Sequence, residues 1–129
     1  MVPIALAILG LSSLVCGTLA FRAIRRFATD RADGAVTRSR RFALKVGAVL
    51  GLATWPLTYW MSYPYADDTG RVGRVAGVPF FVAYFDADGF DYVGPLTLPA
   101  VVLNAVFWFL VPQIVMYVAF ARRLRHRAT

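Results

Sequence analysis

Three long apolar runs, Val2–Phe21, Phe42–Tyr63 and Leu96–Phe120, constrain this chain more than any other feature. A helix needs about 20 consecutive apolar residues to cross a hydrocarbon core, and each run is near or above that length. The only charge inside them is Lys45, close to an end, where its aliphatic stem lets the ammonium reach the headgroups. A soluble core of 129 residues has no use for 59% hydrophobic side chains, so composition and run length agree on a membrane protein. The first run has no Lys or Arg ahead of it and no small-residue cleavage motif after it, and is therefore expected to remain as a helix.

The formal charge of +7 is unevenly placed. Arg22, Arg25, Arg26, Arg31, Arg38, Arg40, Arg41 and Lys45 lie around the first connection, and Arg122, Arg123, Arg125 and Arg127 follow the third run. Only Arg71 and Arg74 fall between the second and third. The positive-inside rule then puts the N-terminus outside and the C-terminus in the cytoplasm. Arg40, Arg41, Arg122 and Arg123 are the expected contacts to anionic lipid headgroups. The basic residues hug membrane ends and carry no interleaved aromatics, which speaks against nucleic acid as a partner. All seven acidic residues are Asp, and Lys45 is the single Lys among 14 basic residues, a usage that points to a bacterial chain and hence to the cytoplasmic membrane.

The expected organisation is an all-α membrane protein in one domain. It has a first span at 2–21, a basic cytoplasmic loop at 22–41, a second span at 42–63, an extracytoplasmic hairpin loop at 64–95, a third span at 96–120 and a basic cytoplasmic tail at 121–129. Gly10, Ser13, Gly17 and Ala20 form a small-residue stripe on the first helix, and Ala43, Gly47 and Gly51 repeat it on the second. Lipid gives helices no hydrophobic reason to associate, so such stripes work by letting backbones approach. The two are expected to pack on each other, with Gly47 and Gly51 as the alternative contact for a neighbouring subunit. Pro56 and Pro112 interrupt the second and third helices, with Thr54 or Thr58 expected to bond the carbonyl that Pro56 frees. Asn104 and Gln113 lie nine residues apart and so on opposite sides of the third helix. Asn104 is expected to reach a partner, and Gln113 to be hydrated near the cytoplasmic interface.

The external segment contains GVPFFVAYFDADGFDYVGP, whose β-prone run, Asp-Gly pair and return fit a β-hairpin. A two-residue turn at Asp88–Gly89 pairs Asp86 with Asp91. Two facing carboxylates favour a cation between them, which makes Asp86, Asp88 and Asp91 a candidate weak Ca²⁺ site, against the plainer reading of a solvated turn. The run before the turn has no polar face. Phe80, Phe81, Tyr84 and Phe85 therefore require cover from helix ends, headgroups or another protein.

No Asp, Glu or His lies at the middle of a span, and nucleotide, zinc-protease, dithiol and nucleophile-elbow motifs are missing. No catalytic residue is assigned. The leading expectation is an accessory or scaffold subunit docked into a larger membrane assembly, chiefly of other integral membrane proteins. An oligomeric pore or transporter component is the alternative, and a membrane enzyme acting on lipid or quinone a distant third.

Overall fold

The computed structural model describes residues 2–30, 34–58, 60–66, 72–86, 91–92, 94 and 97–126. Helices α1 (Val2–Asp30), α2 (Gly34–Leu57) and α3 (Thr97–His126) carry most of the chain. Between α2 and α3 stand β1 (Ser62–Ala66), β2 (Val72–Ala76), β3 (Ala83–Phe85) and the two-residue β4 (Asp91–Tyr92). The strands form an antiparallel sheet in the order β1-β2-β3-β4, larger than the single hairpin expected.

Among the described residues two helical stretches, Ile4–Thr29 and Thr97–Arg122, are long and apolar enough to cross a membrane. The middle helix is not one of them. Its first half carries Arg38, Arg40, Arg41 and Lys45, and from Val46 to its end at Leu57 it extends only ~18 Å, against a hydrocarbon core of ~30 Å. The second apolar run therefore does not stay helical to Tyr63. Pro56 lies one residue before the helix end, and the chain then turns as the N–H groups of Trp60 and Met61 both donate to the Leu57 carbonyl, at 3.0 and 2.9 Å. Met61 leads into β1, an edge strand that tolerates Pro64 without a ladder bond to lose. Thr54 donates to the Leu50 carbonyl at 2.8 Å and Thr58 to the Thr54 carbonyl at 2.6 Å, so neither takes the Leu52 carbonyl that Pro56 frees.

The basic loop expected at 22–41 is largely helix. Arg is a good helix former, and α1 runs on through Arg22, Arg25 and Arg26 while α2 starts at Gly34. In the same way α3 continues past Phe120 into the basic tail.

Packing also departs from expectation. The two small-residue stripes do not meet each other, for α3 lies against both α1 and α2 while those two barely touch. A side chain begun at Gly17 would lie 2.6 Å from Leu110 Cβ, and one begun at Gly47 would lie 2.5 Å from the Phe109 carbonyl oxygen. At Gly51 the same construction comes 3.0 Å from the Ala105 carbonyl oxygen. Gly17 thus receives the Leu110 side chain, while Gly47 and Gly51 let the backbone of α3 approach that of α2. Gly47 beside Phe109 and Gly51 beside Ala105 also set α2 and α3 antiparallel.

Candidate functional site

The segment expected to run as a strand from Val78 to Phe85 is strand only from Ala83. Gly77 adopts φ +102°, a conformation open to Gly and strained for other residues, and the Val78–Pro79 peptide is cis. Gly77 donates its N–H to the Met61 carbonyl at 3.0 Å, and Val82 donates to Ala76 at 2.7 Å, so the intervening residues leave the sheet as a loop and return.

Helix α3 holds that loop. Thr97, Asn104 and Trp108 follow at spacings of seven and four, which places them on one helical face. The Phe80 N–H donates to Asn104 Oδ1 at 2.8 Å, and Asn104 Nδ2 donates to the Phe80 carbonyl at 2.6 Å. Trp108 Nε1 donates to the Val78 carbonyl at 2.9 Å, and Thr97 Oγ1 to the Val82 carbonyl at 2.8 Å. A loop carried to the helix end with its peptide groups dry would be costly; these side chains satisfy them. Sequence reasoning had singled out Asn104 and missed Trp108 and Thr97, although their spacing from Asn104 was a readable signal.

The expected partner-binding residues therefore divide. Asn104 is fully buried and its amide is paired with the Phe80 peptide of its own chain. Gly47 and Gly51 are covered by α3. Phe80 is half-buried against α1, where a side chain begun at Gly10 would lie 2.8 Å from its ring and 2.7 Å from Pro79. Tyr84 packs edge-on against Tyr65 with ring centroids 6.2 Å apart, in the space that Gly73 leaves open on β2. Phe85 is half-buried at the end of β3. Phe81 alone of the four is exposed, at 52%. It stands beside a hollow of about 180 Å³ bounded by Ala7 of α1, Pro79 of the loop, and Pro99 and Leu103 of α3. Among the described residues no titratable side chain lines this hollow.

The acidic tip is arranged differently from the expected hairpin. Phe85 pairs with Asp91 and Tyr84 with Tyr92, one residue out of the register that faces Asp86 with Asp91. A slip of one residue moves side chains to the opposite face, so the clash that motivated a cation is relieved by register. Asp88 and the Asp-Gly turn lie outside the described residues, as does the side chain of Asp91. Among the described residues no group of three His, Cys, Asp or Glu side chains is gathered as for a metal ion.

Of the expected headgroup contacts, Arg41 and Arg122 are exposed, and the side chain of Arg123 lies outside those described. Arg40 is half-buried instead, with its guanidinium 5.9 Å from the centre of the Phe21 ring and its Nε buried without a hydrogen-bond partner among the described residues. Gln113, expected to be hydrated, is fully buried, and neither amide atom has a partner among the described residues. In β1 the Tyr63 hydroxyl is likewise buried and unpartnered, and burial pushes its pKa above the usual value for a tyrosine.

Comparison with protein families, with curated proteins and with solved structures finds no match to this chain.

Proposed function

We propose that this protein is a small integral membrane subunit that docks an unlike membrane protein at its extracytoplasmic end. The observation that carries the reading is the Gly77–Val82 loop. Four hydrogen bonds from α3 hold its backbone, and the result is an exposed Phe81 beside an apolar hollow between α1 and α3. A fixed aromatic next to a small apolar recess is how a binding anchor is arranged, because little side-chain or loop entropy remains to be lost on association. Trp60, after the end of α2, and Leu98, in the first turn of α3, are also exposed apolar side chains.

The reading includes three spans with the N-terminus outside, in a bacterial cytoplasmic membrane. Its support is the distribution of basic residues together with the close seating of α2 along α3 at Gly47 and Gly51. The short apolar part of α2 is served by Lys45 reaching back to the headgroups at one end and by the sheet beginning at Ser62 at the other.

An oligomeric pore loses its main polar lining group, since the Asn104 amide is already paired with Phe80. Purification in mild detergent separates the readings. Defined stoichiometry with an unlike membrane protein, lost on Phe81→Ser, is the expected result. A closed ring of identical chains contradicts it.

A further inference from the structure

Where the glycine contacts between α2 and α3 end, a groove of about 640 Å³ begins, and its described lining residues all belong to α2 and α3. Phe42 and Val46 of α2 form one wall, with Pro112, Val115 and Met116 of α3 opposite. The antiparallel seating of Gly47 by Phe109 and Gly51 by Ala105 orients this groove. Val46 and Val111 lie at its inner end, while Arg38 and Ser39 of α2 lie level with Ala119 at its outer end. From Val46 to Arg38 the wall measures about 12 Å of helix. Arg38 is exposed, and Arg122 is exposed less than one turn beyond Ala119. The groove thus reads, along its length, as a cation and a hydroxyl followed by a dry aliphatic channel running toward the middle of the helices.

That order is the order of groups in a phospholipid. We propose that the groove holds one anionic phospholipid of the cytoplasmic leaflet, with the phosphate at Arg38 and Ser39 and one acyl chain against Phe42, Val46, Val115 and Met116. In a membrane an acyl chain gains little from apolar walls as such, because lipid tails surround the protein everywhere. Selectivity therefore comes from the head: a net negative lipid is preferred through Arg38, and Ser39 adds a donor to a phosphate oxygen. Charge complementarity also separates this occupant from a partner helix, which would bring an apolar surface to Arg38 and leave the guanidinium without a counter-ion. The inference rests on the membrane placement proposed above and not on the existence of a partner subunit.

The test is native mass spectrometry of the purified chain in detergent supplemented with phosphatidylglycerol or phosphatidylcholine at equal concentration. One retained phosphatidylglycerol is expected, favoured about fivefold over phosphatidylcholine, the factor carried by one cation near a membrane surface. Arg38→Gln should bring the two lipids to parity. Arg25→Gln, an exposed cation on α1 that does not line the groove, should leave the preference as it was. Ala119→Phe, which blocks the groove at its outer end where the head and the start of the chain lie, should abolish retention of both lipids while the protein melts at its original temperature. Equal retention of the two lipids by the wild type overturns the proposal, as does a loss on Arg25→Gln as large as on Arg38→Gln, which would mean diffuse attraction. A lipid-free dimer overturns it in favour of a second copy in the groove. Since every arm uses the isolated chain, failure to find a partner protein bears on the docking function and leaves this result standing.

Discussion

Replacing Asn104 by Leu keeps the side-chain volume close and removes both hydrogen bonds to Phe80. The Phe80 N–H and carbonyl are then left inside a site where Asn104 itself has no exposure, so water does not take over. An unsatisfied buried donor or acceptor costs about 1–3 kcal/mol, whereas side-chain hydrogen bonds measured within membrane bundles average about 0.6 and reach about 1.7 kcal/mol. Two such bonds lost from one residue give an expected cost of about 2–4 kcal/mol, concentrated in the loop. The assay is amide hydrogen exchange in micelles, read at Phe80. The local opening free energy falls by that amount, so exchange at Phe80 should accelerate by a factor between about 30 and several hundred, with the melting temperature also lowered. Exchange in the centres of α1 and α2 should change much less than at Phe80. Unchanged exchange at Phe80 and an unchanged melting temperature would refute the view that this amide holds the loop.

Gly47→Ile should separate α2 from α3 and lower thermal stability or protein yield, because its first side-chain carbon alone meets the Phe109 carbonyl at 2.5 Å; Gly34→Ala, with nothing within 4 Å, is the tolerated control. Tyr63→Phe removes an unpartnered buried hydroxyl and should be neutral or stabilising by up to about 1 kcal/mol in a melting experiment. The same tyrosine sets an alkaline limb. Its folded pKa lies above the unfolded value near 10, so its contribution is present below pH 10 and is lost as the pH rises beyond, a loss that Tyr63→Phe should reduce. A cysteine introduced at Thr69 should react with an impermeant thiol reagent in intact cells and one at Thr37 should not; the reverse pattern would invert the proposed orientation. Calorimetric titration with Ca²⁺ should show no saturable binding, in the wild type or in Asp86→Asn with Asp91→Asn, because the register no longer faces those two residues.

The apolar runs made α1 and α3 readable, since length and composition alone decide whether a helix can span. Element ends were less visible. Arg and Ala sustain a helix as readily as they populate a loop, so α1 runs beyond Phe21, and the second run looked uniform although its last part becomes a turn and β1. Small residues tell which helix face allows close approach, but they carry no information about which helix will come. The atoms that approach Gly17, Gly47 and Gly51 belong to α3. A hairpin in the external segment was foreseen, but β1 and β2 were not, and neither was the register: Phe85 pairs with Asp91, where a two-residue Asp88–Gly89 turn pairs it with Tyr92. Asn104 was recognised as a buried polar group in search of a partner. That the partner is the Phe80 peptide depends on the Gly77 bend bringing the loop back over the helix end, a long-range event with no local periodicity to announce it.

The docking function is tested most directly by a photo-crosslinking amino acid placed at Phe81 in the protein expressed in its own membrane, with a second variant carrying it at Ile8, an exposed position on α1 that does not line the hollow. A single adduct of defined mass to one unlike membrane protein from position 81, and none to that protein from position 8, is the predicted result. Adducts from position 81 to lipid alone, or only to a second copy of the chain, would contradict it.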